Sequence, residues 1–185
     1  MRILLFILTF INCAIAAAHA QTIGATFDLA GVNQPLPVTG QYQPFLPHNI
    51  RTNNLPGGTT GSAIANSASD VAYIATRDGW VLFSGQVWVI LDYSLPPPGN
   101  GFAVLRIFKN GPPGVCGDNG GIPFAAGIGE NGGTFWWNYS VPLSAADYAR
   151  SGDSYSFCIY VVANGPDSYA DGNQAHTRIT VTQIP

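Results

Sequence analysis

With charged residues at only 9% of 185 positions and a formal net charge of −3, this chain lacks the dense charge that many partners demand. No basic run exists and Lys109 is the single lysine, so nucleic acid and anionic membrane are poor partners. Aromatic residues at 12% and hydrophobic residues at 46% supply the burial that intrinsically disordered chains lack.

Arg2 precedes an apolar run from Ile3 to Ala18, and Ala18, His19 and Ala20 form the small-x-small pattern that signal peptidase accepts. Residues 1–20 therefore read as a secretory signal, too short and wrongly flanked for a stable span. Residues 21–185 read as one domain, released outside the cell or held in a periplasm or at a cell surface. No later segment approaches a membrane-spanning length, so no membrane insertion is expected. Cys13 leaves with the signal. Cys116 and Cys158 then face an oxidising compartment, where one disulfide joining a loop to a strand is expected.

The elements follow in order. Ile23, Ala25, Phe27 and Leu29 alternate with Thr22, Gly24, Thr26 and Asp28, the pattern of a half-buried strand. From Gly31 to Gly61 the chain is broken by Pro35, Pro37, Pro44, Pro47 and Pro56, leaving room for short strands near Tyr42–Phe45 and His48–Thr52. Ser62–Ser69 is small and polar, a loop. Val71, Tyr73 and Ala75 resume a strand that is expected to turn as a hairpin at Asp78 and Gly79.

Trp80 to Leu91 carries the strongest signal. Val81, Phe83, Gly85, Val87, Val89 and Leu91 make one apolar face, while Trp80, Leu82, Ser84, Gln86, Trp88 and Ile90 make the other. The second face is too apolar for an ordinary solvated one and calls for a cover, in the fold or from another subunit. Trp80, Leu82, Trp88 and Ile90 are thus candidate oligomer-interface residues.

After an exposed turn at Pro96–Gly101, Phe102–Lys109 reads as another strand, and the glycine-rich stretch 111–134 reads as the least structured insertion. Phe135, Trp137, Tyr139 and Val141 alternate again, and Ser144–Asp147 has the look of a single capped helical turn. Tyr155, Phe157, Ile159 and Val161 share a strand face, Asn164–Gln174 is a loop, and Thr177, Ile179 and Val181 close the chain. At least seven strands with essentially no helix predict an all-β antiparallel sandwich. Long proline-rich connections favour a jelly roll over an up-and-down barrel.

Six pieces carry a family resemblance in order. They are Ala25–Ala30; Phe45–Asn54; Tyr73, Gly79 and Phe83; Leu105–Gly111; Val141–Leu143 through Ser151–Asp153 into Tyr155–Val161; and Ile179–Ile184. Together they resemble the globular heads of complement component one-q and the related tumour-necrosis-factor jelly rolls. The resemblance implies a jelly roll of about ten strands, assembled as a homotrimer around packed aromatic side chains. It also implies a binding module rather than an enzyme.

The candidate chemistry agrees with that implication. His48 and His176 are the only histidines after residue 20, Glu130 is the only glutamate, and no Gly-x-Ser-x-Gly elbow surrounds any serine. No catalytic residue and no required cofactor is expected. Calcium is the one reasonable ion, since Asp118, Asp167 and Asp171 lie in Asp/Asn/Gly loops that offer oxygen ligands, although such clusters mostly serve as turns. Trp136, Trp137 and Tyr139 are the candidate ligand-binding residues, since a tryptophan beside amides suits stacking on sugar rings. Core and interface packing is the competing use of that strand. Asn138, Tyr139 and Ser140 form an N-glycosylation sequon, relevant in a eukaryotic host.

The functional reading from sequence is a secreted, non-enzymatic recognition or structural module, a homotrimer whose loops bind an extracellular protein or glycan. Two alternatives come from other classes. One is a self-assembling filament or surface-layer subunit that donates strand 21–30 to a neighbour. The other is a monomeric carbohydrate-binding module.

Overall fold

The computed structural model describes residues 23–37, 40–46, 49–53, 72–92, 100–112, 115–117, 121–132, 137–163, 165 and 167–184. Strands appear in the order β1 (Ile23–Asp28), β2 (Gln34–Pro35), β3 (Gln43–Pro44), β4 (Asn49–Asn53), β5 (Ala72–Ile74) and β6 (Gly79–Leu91). They continue with β7 (Asn100–Asn110), β8 (Gly121–Gly132), β9 (Trp137–Ala149), β10 (Ser154–Val162), β11 (Tyr169–Ala170) and β12 (Arg178–Ile184). No α-helix occurs among the described residues.

Two antiparallel sheets face each other. In sheet A the order is β4, β1, β12, β6, β9; β11 takes over from β12 beside Val89 and Ile90, with β2 beyond it. In sheet B the order is β8, β7, β10, and β3 and β5 share the far edge of β10. The expected all-β jelly-roll sandwich is therefore what forms.

The period-two patterns explain which faces meet. Val81, Phe83, Val87, Val89 and Leu91 of β6 and Ile179 and Val181 of β12 are buried, as are Tyr155, Phe157, Ile159 and Val161 of β10. Across the sandwich Phe27 of sheet A lies 5.2 Å from Phe157 of sheet B, and Phe83 lies 5.0 Å from Tyr155. These tilted ring pairs fill the inter-sheet space with large apolar area, the dominant stabilising term. On the outside of sheet B, Cys158 of β10 is joined to Cys116, with Cα atoms 5.9 Å apart. The loop-to-strand staple thus forms as expected.

Four expectations need correction. The glycine-rich insertion contains β8, a strand of 12 residues paired with β7. Its glycines hide it from an apolar count but are needed: a Cβ on Gly127 would sit 1.7 Å from the Pro142 carbonyl oxygen of β9, so only glycine lets the two sheet edges approach there. Ser144–Asp147 is not helical, because β9 runs on as a strand against the whole of β6, with Val141, Leu143 and Ala149 buried. Pairing along that edge overrides the local capping signal.

Asp78 and Gly79 do not make a hairpin. β5 pairs with β10 in sheet B, whereas β6 belongs to sheet A, so the connection crosses between sheets. It is held by other partners: Ser151 N–H donates to Asp78 Oδ1 at 2.8 Å, and the buried Gln183 amide donates to the Arg77 carbonyl. The donor strand of the filament alternative is also already in use. β1 is paired on one edge with β12 and on the other with β4, so donating it would break both ladders. The loop expected at Ser62–Ser69 lies outside the described residues, as does the turn expected from Pro96 as far as residue 99.

Candidate functional site

Alternation places Trp80, Leu82, Ser84, Gln86, Trp88 and Ile90 on the outer face of sheet A, and register fixes their neighbours. Tyr148 and Ile184 flank Trp80 in one row, and Ala146 and Thr182 flank Leu82 in the next. The Trp80 and Tyr148 rings meet edge-on at 5.8 Å. Trp80 is 52% exposed, Tyr148 55%, Ile184 39% and Leu82 38%. Three adjacent strands thus present one apolar patch at the end of the sheet where β6 begins. Ser84, Ser144 and Thr180 form the polar row beside it.

The opposite end of the same face is covered from within. Trp88 N–H donates to Thr177 Oγ1 at 3.1 Å, Asp171 N–H donates to the Trp88 carbonyl, and the His176 ring lies 4.7 Å from the Trp88 ring. Ile90 pairs with Tyr169 of β11 and is half-buried. Of the four interface candidates, Trp80 and Leu82 remain open, while Trp88 and Ile90 already have intramolecular neighbours. Tyr148 and Ile184 join the site without having been singled out. Tyr148 directly follows the segment read as a helical turn, and Ile184 is the last residue of β12.

Beneath the patch, between the sheets, lies a polar clasp. Lys109 Nζ of β7 sits 2.6 Å from Asp147 Oδ2 of β9 and 2.9 Å from Asp153 Oδ2. Tyr155 Oη donates to the same Asp147 oxygen at 2.7 Å, and Asn110 Nδ2 donates to Asp153 Oδ1 at 3.1 Å. Partial burial pulls the Lys109 ammonium down, but hydrogen bonds and charge from Asp147 and Asp153 outweigh it and hold the group above its ordinary value. Burial likewise pushes Asp153 up, yet the Arg150 N–H, Lys109 and Asn110 together hold it below the usual carboxylate range. Tyr155 is raised first by burial and then by Asp147, and burial lifts Tyr73 to about 12 against the lowering pull of Arg77. Each shift moves a group's titration further from neutral pH, so Lys109 and Asp153 stay charged and both tyrosines stay neutral, an arrangement ill suited to proton transfer.

The remaining candidates are dispersed. Trp136 and Asp118 lie outside the described residues. Trp137 and Tyr139 belong to β9, opposite Leu91 and Val89, and Asn138 is exposed opposite Ile90. Asp167 is exposed. Asp171 Oδ2 is 2.6 Å from His176 Nδ1 and its Oδ1 accepts from Asn173 N–H at 3.1 Å, the self-bonding of an Asx turn. Among the described residues no group of three or more His, Cys, Asp and Glu gathers as a metal site.

No protein-family model matches the chain, and no curated protein matches it. Among solved structures, that of the Eiger TNF from S. frugiperda is similar, with a TM-score of 0.55 at 12% identity over 89% of this chain and 93% of that one. A likeness at this identity speaks to architecture alone, and it supports the tumour-necrosis-factor side of the resemblance rather than the complement heads in particular. The fold is a jelly roll of the tumour-necrosis-factor type.

Proposed function

We propose that this chain is a secreted, non-enzymatic recognition module that assembles as a homotrimer through the Trp80 end of sheet A and binds an extracellular ligand with its loops. The observation that carries this reading is the open patch of Trp80, Leu82, Tyr148 and Ile184, next to a sheet end that the fold covers for itself. Trp and Tyr side chains bring about 150–250 Å² each, so the two half-exposed rings alone offer roughly 200 Å². A stable interface takes about 800 Å² per partner. The patch is therefore the apolar centre of an interface whose rim is the polar Ser84, Ser144 and Thr180 row. The disulfide is compatible with an oxidising compartment.

The test is the pair of substitutions Trp80→Ser and Tyr148→Ser, followed by sedimentation velocity. The reading predicts a trimer for the wild type and a monomer for the double variant, with melting of the isolated fold little changed because both side chains are exposed. A double variant that sediments like the wild type overturns the assignment of the interface. The filament alternative is disfavoured by the double pairing of β1, and a monomeric wild type is the result that would favour the sugar-binding alternative.

A further inference from the structure

The outer face of sheet B carries a cluster that self-association through sheet A leaves unused. The Phe102 and Tyr160 rings lie 5.9 Å apart, and Tyr42, arriving from the segment before β3, sits 5.2 Å from Tyr160 and 5.5 Å from Phe108. The Arg106 guanidinium carbon stands 4.9 Å from the centre of the Tyr42 ring. Phe108 is buried, whereas Phe102, Tyr160, Tyr42 and Arg106 are half-buried and reach solvent. Register places Cys158 opposite Arg106 on one side and Pro44 on the other. The Cys116–Cys158 bridge therefore pins residues 115–117 beside the same row. Two loop segments and two strands thus frame one aromatic shelf with a single cation in it.

Arg106 is the informative member. The guanidinium lies over the Tyr42 ring, a cation–π contact that uses none of its N–H groups as donors to an acceptor atom. Among the described residues no carboxylate pairs with it; the ion pairs there involve Lys109 and His176. A half-buried guanidinium beside an aromatic ring that meets no carboxylate among the described residues suits an external one, bound through its N–H groups. Neighbouring rings suit the C–H face of a sugar. A polyanion or an acidic peptide would need several cations, and the shelf offers one in a chain with seven Lys and Arg in all.

We propose that this shelf binds the carboxylate-bearing terminal sugar of a glycan, of the sialic- or uronic-acid class, with the carboxylate on Arg106 and the ring face on Tyr42 and Tyr160. This goes beyond the trimer reading and is independent of it, since the two surfaces lie on opposite sheets.

The experiment is an NMR titration of the secreted protein with sialyllactose, with lactose and with a glutamate-rich peptide in parallel. Sialyllactose should bind at least about tenfold more tightly than lactose, the increment expected of one charge-assisted bidentate contact. Arg106→Gln should abolish that preference, Arg106→Lys should restore only part of it, and the sedimenting mass should be unchanged in both. Should Arg106→Gln fail to fold, the wild type still decides the matter, because raising the salt must shrink the acidic-over-neutral preference. Equal binding of the two sugars, binding to neither, a preference that survives Arg106→Gln, or binding of the peptide in place of the sugar each overturns the proposal.

Discussion

Gly85 offers the sharpest test of how sheet A is built. It stands in the middle of β6, opposite Ile179 of β12 and Leu143 of β9, at a φ of +139°. A Cβ added there would lie 2.1 Å from the Arg178 carbonyl oxygen and 3.0 Å from the Ile179 Cα. Both contacts are backbone, so neither can be relieved by a rotamer change. The positive φ should cost a residue with a side chain about 1–3 kcal/mol, and forcing the two strands apart should add about 1–3 kcal/mol. Gly152 supplies the control: its φ is +95°, yet an added Cβ meets nothing within 4 Å. Gly152→Ala should therefore show the conformational cost alone, and Gly85→Ala should exceed it by at least about 1 kcal/mol. Urea unfolding followed by tryptophan fluorescence gives both values by linear extrapolation. Two variants of equal stability, or a Gly85→Ala protein within about 0.5 kcal/mol of the wild type, would refute the close approach of β6 and β12.

Further outcomes follow from the clasp, the staple and the loops. Lys109→Met removes the cation shared by Asp147 and Asp153 and should cost about 1–2 kcal/mol at neutral pH, discounted for partial exposure; calorimetry should show a lower melting temperature. Asp153 lies below its ordinary value, so its contribution is present above about pH 4 and is lost as pH falls through the lower folded value. Lys109 and Tyr73 lie above theirs, so their contribution is complete below about pH 10 and is lost as pH rises through the folded values, which for Tyr73 is about 12. Melting temperature against pH should then fall on both sides of a broad plateau, and a wild-type plateau no wider than that of Lys109→Met would contradict the clasp. Replacing Cys116 and Cys158 with alanine opens a sequence separation of 42 residues and should cost about 3–4 kcal/mol in urea unfolding; a loss under about 1 kcal/mol would show that the bridge closes little. Melts with and without a calcium chelator should coincide, because Asp171 is already engaged by His176 and Asn173; a chelator-induced drop would show a bound cation.

What the amino-acid pattern reveals depends on contrast between neighbouring residues. β6, β10 and β12 alternate large apolar groups with others, and their buried faces were legible residue by residue. β8 was not, because glycine and alanine give no such contrast and the strand exists through pairing with β7 and close approach to β9. The second half of β9 failed for the same reason, its Ser and Ala positions carrying a stronger local turn signal than strand signal. The Asp78–Gly79 dipeptide marked a reversal correctly but could not say which sheet each flanking strand joins, since that is decided by partners more than seventy residues away, Ser151 and Gln183 among them. The patch was half legible. Trp80 and Leu82 stood out as a second apolar face, whereas Tyr148 and Ile184 reach it only through register. The shelf around Arg106 gave no signal at all, because the outer positions of β7 and β10 mix polar and apolar side chains without a pattern and Tyr42 comes from a proline-broken segment.

The absolute molar mass of the protein in solution, by light scattering behind a sizing column, bears most directly on the central claim. A sharp mass of three chains that survives dilution is the result predicted by a threefold assembly through the Trp80 and Tyr148 patch. A clean monomer at the same concentrations would contradict it.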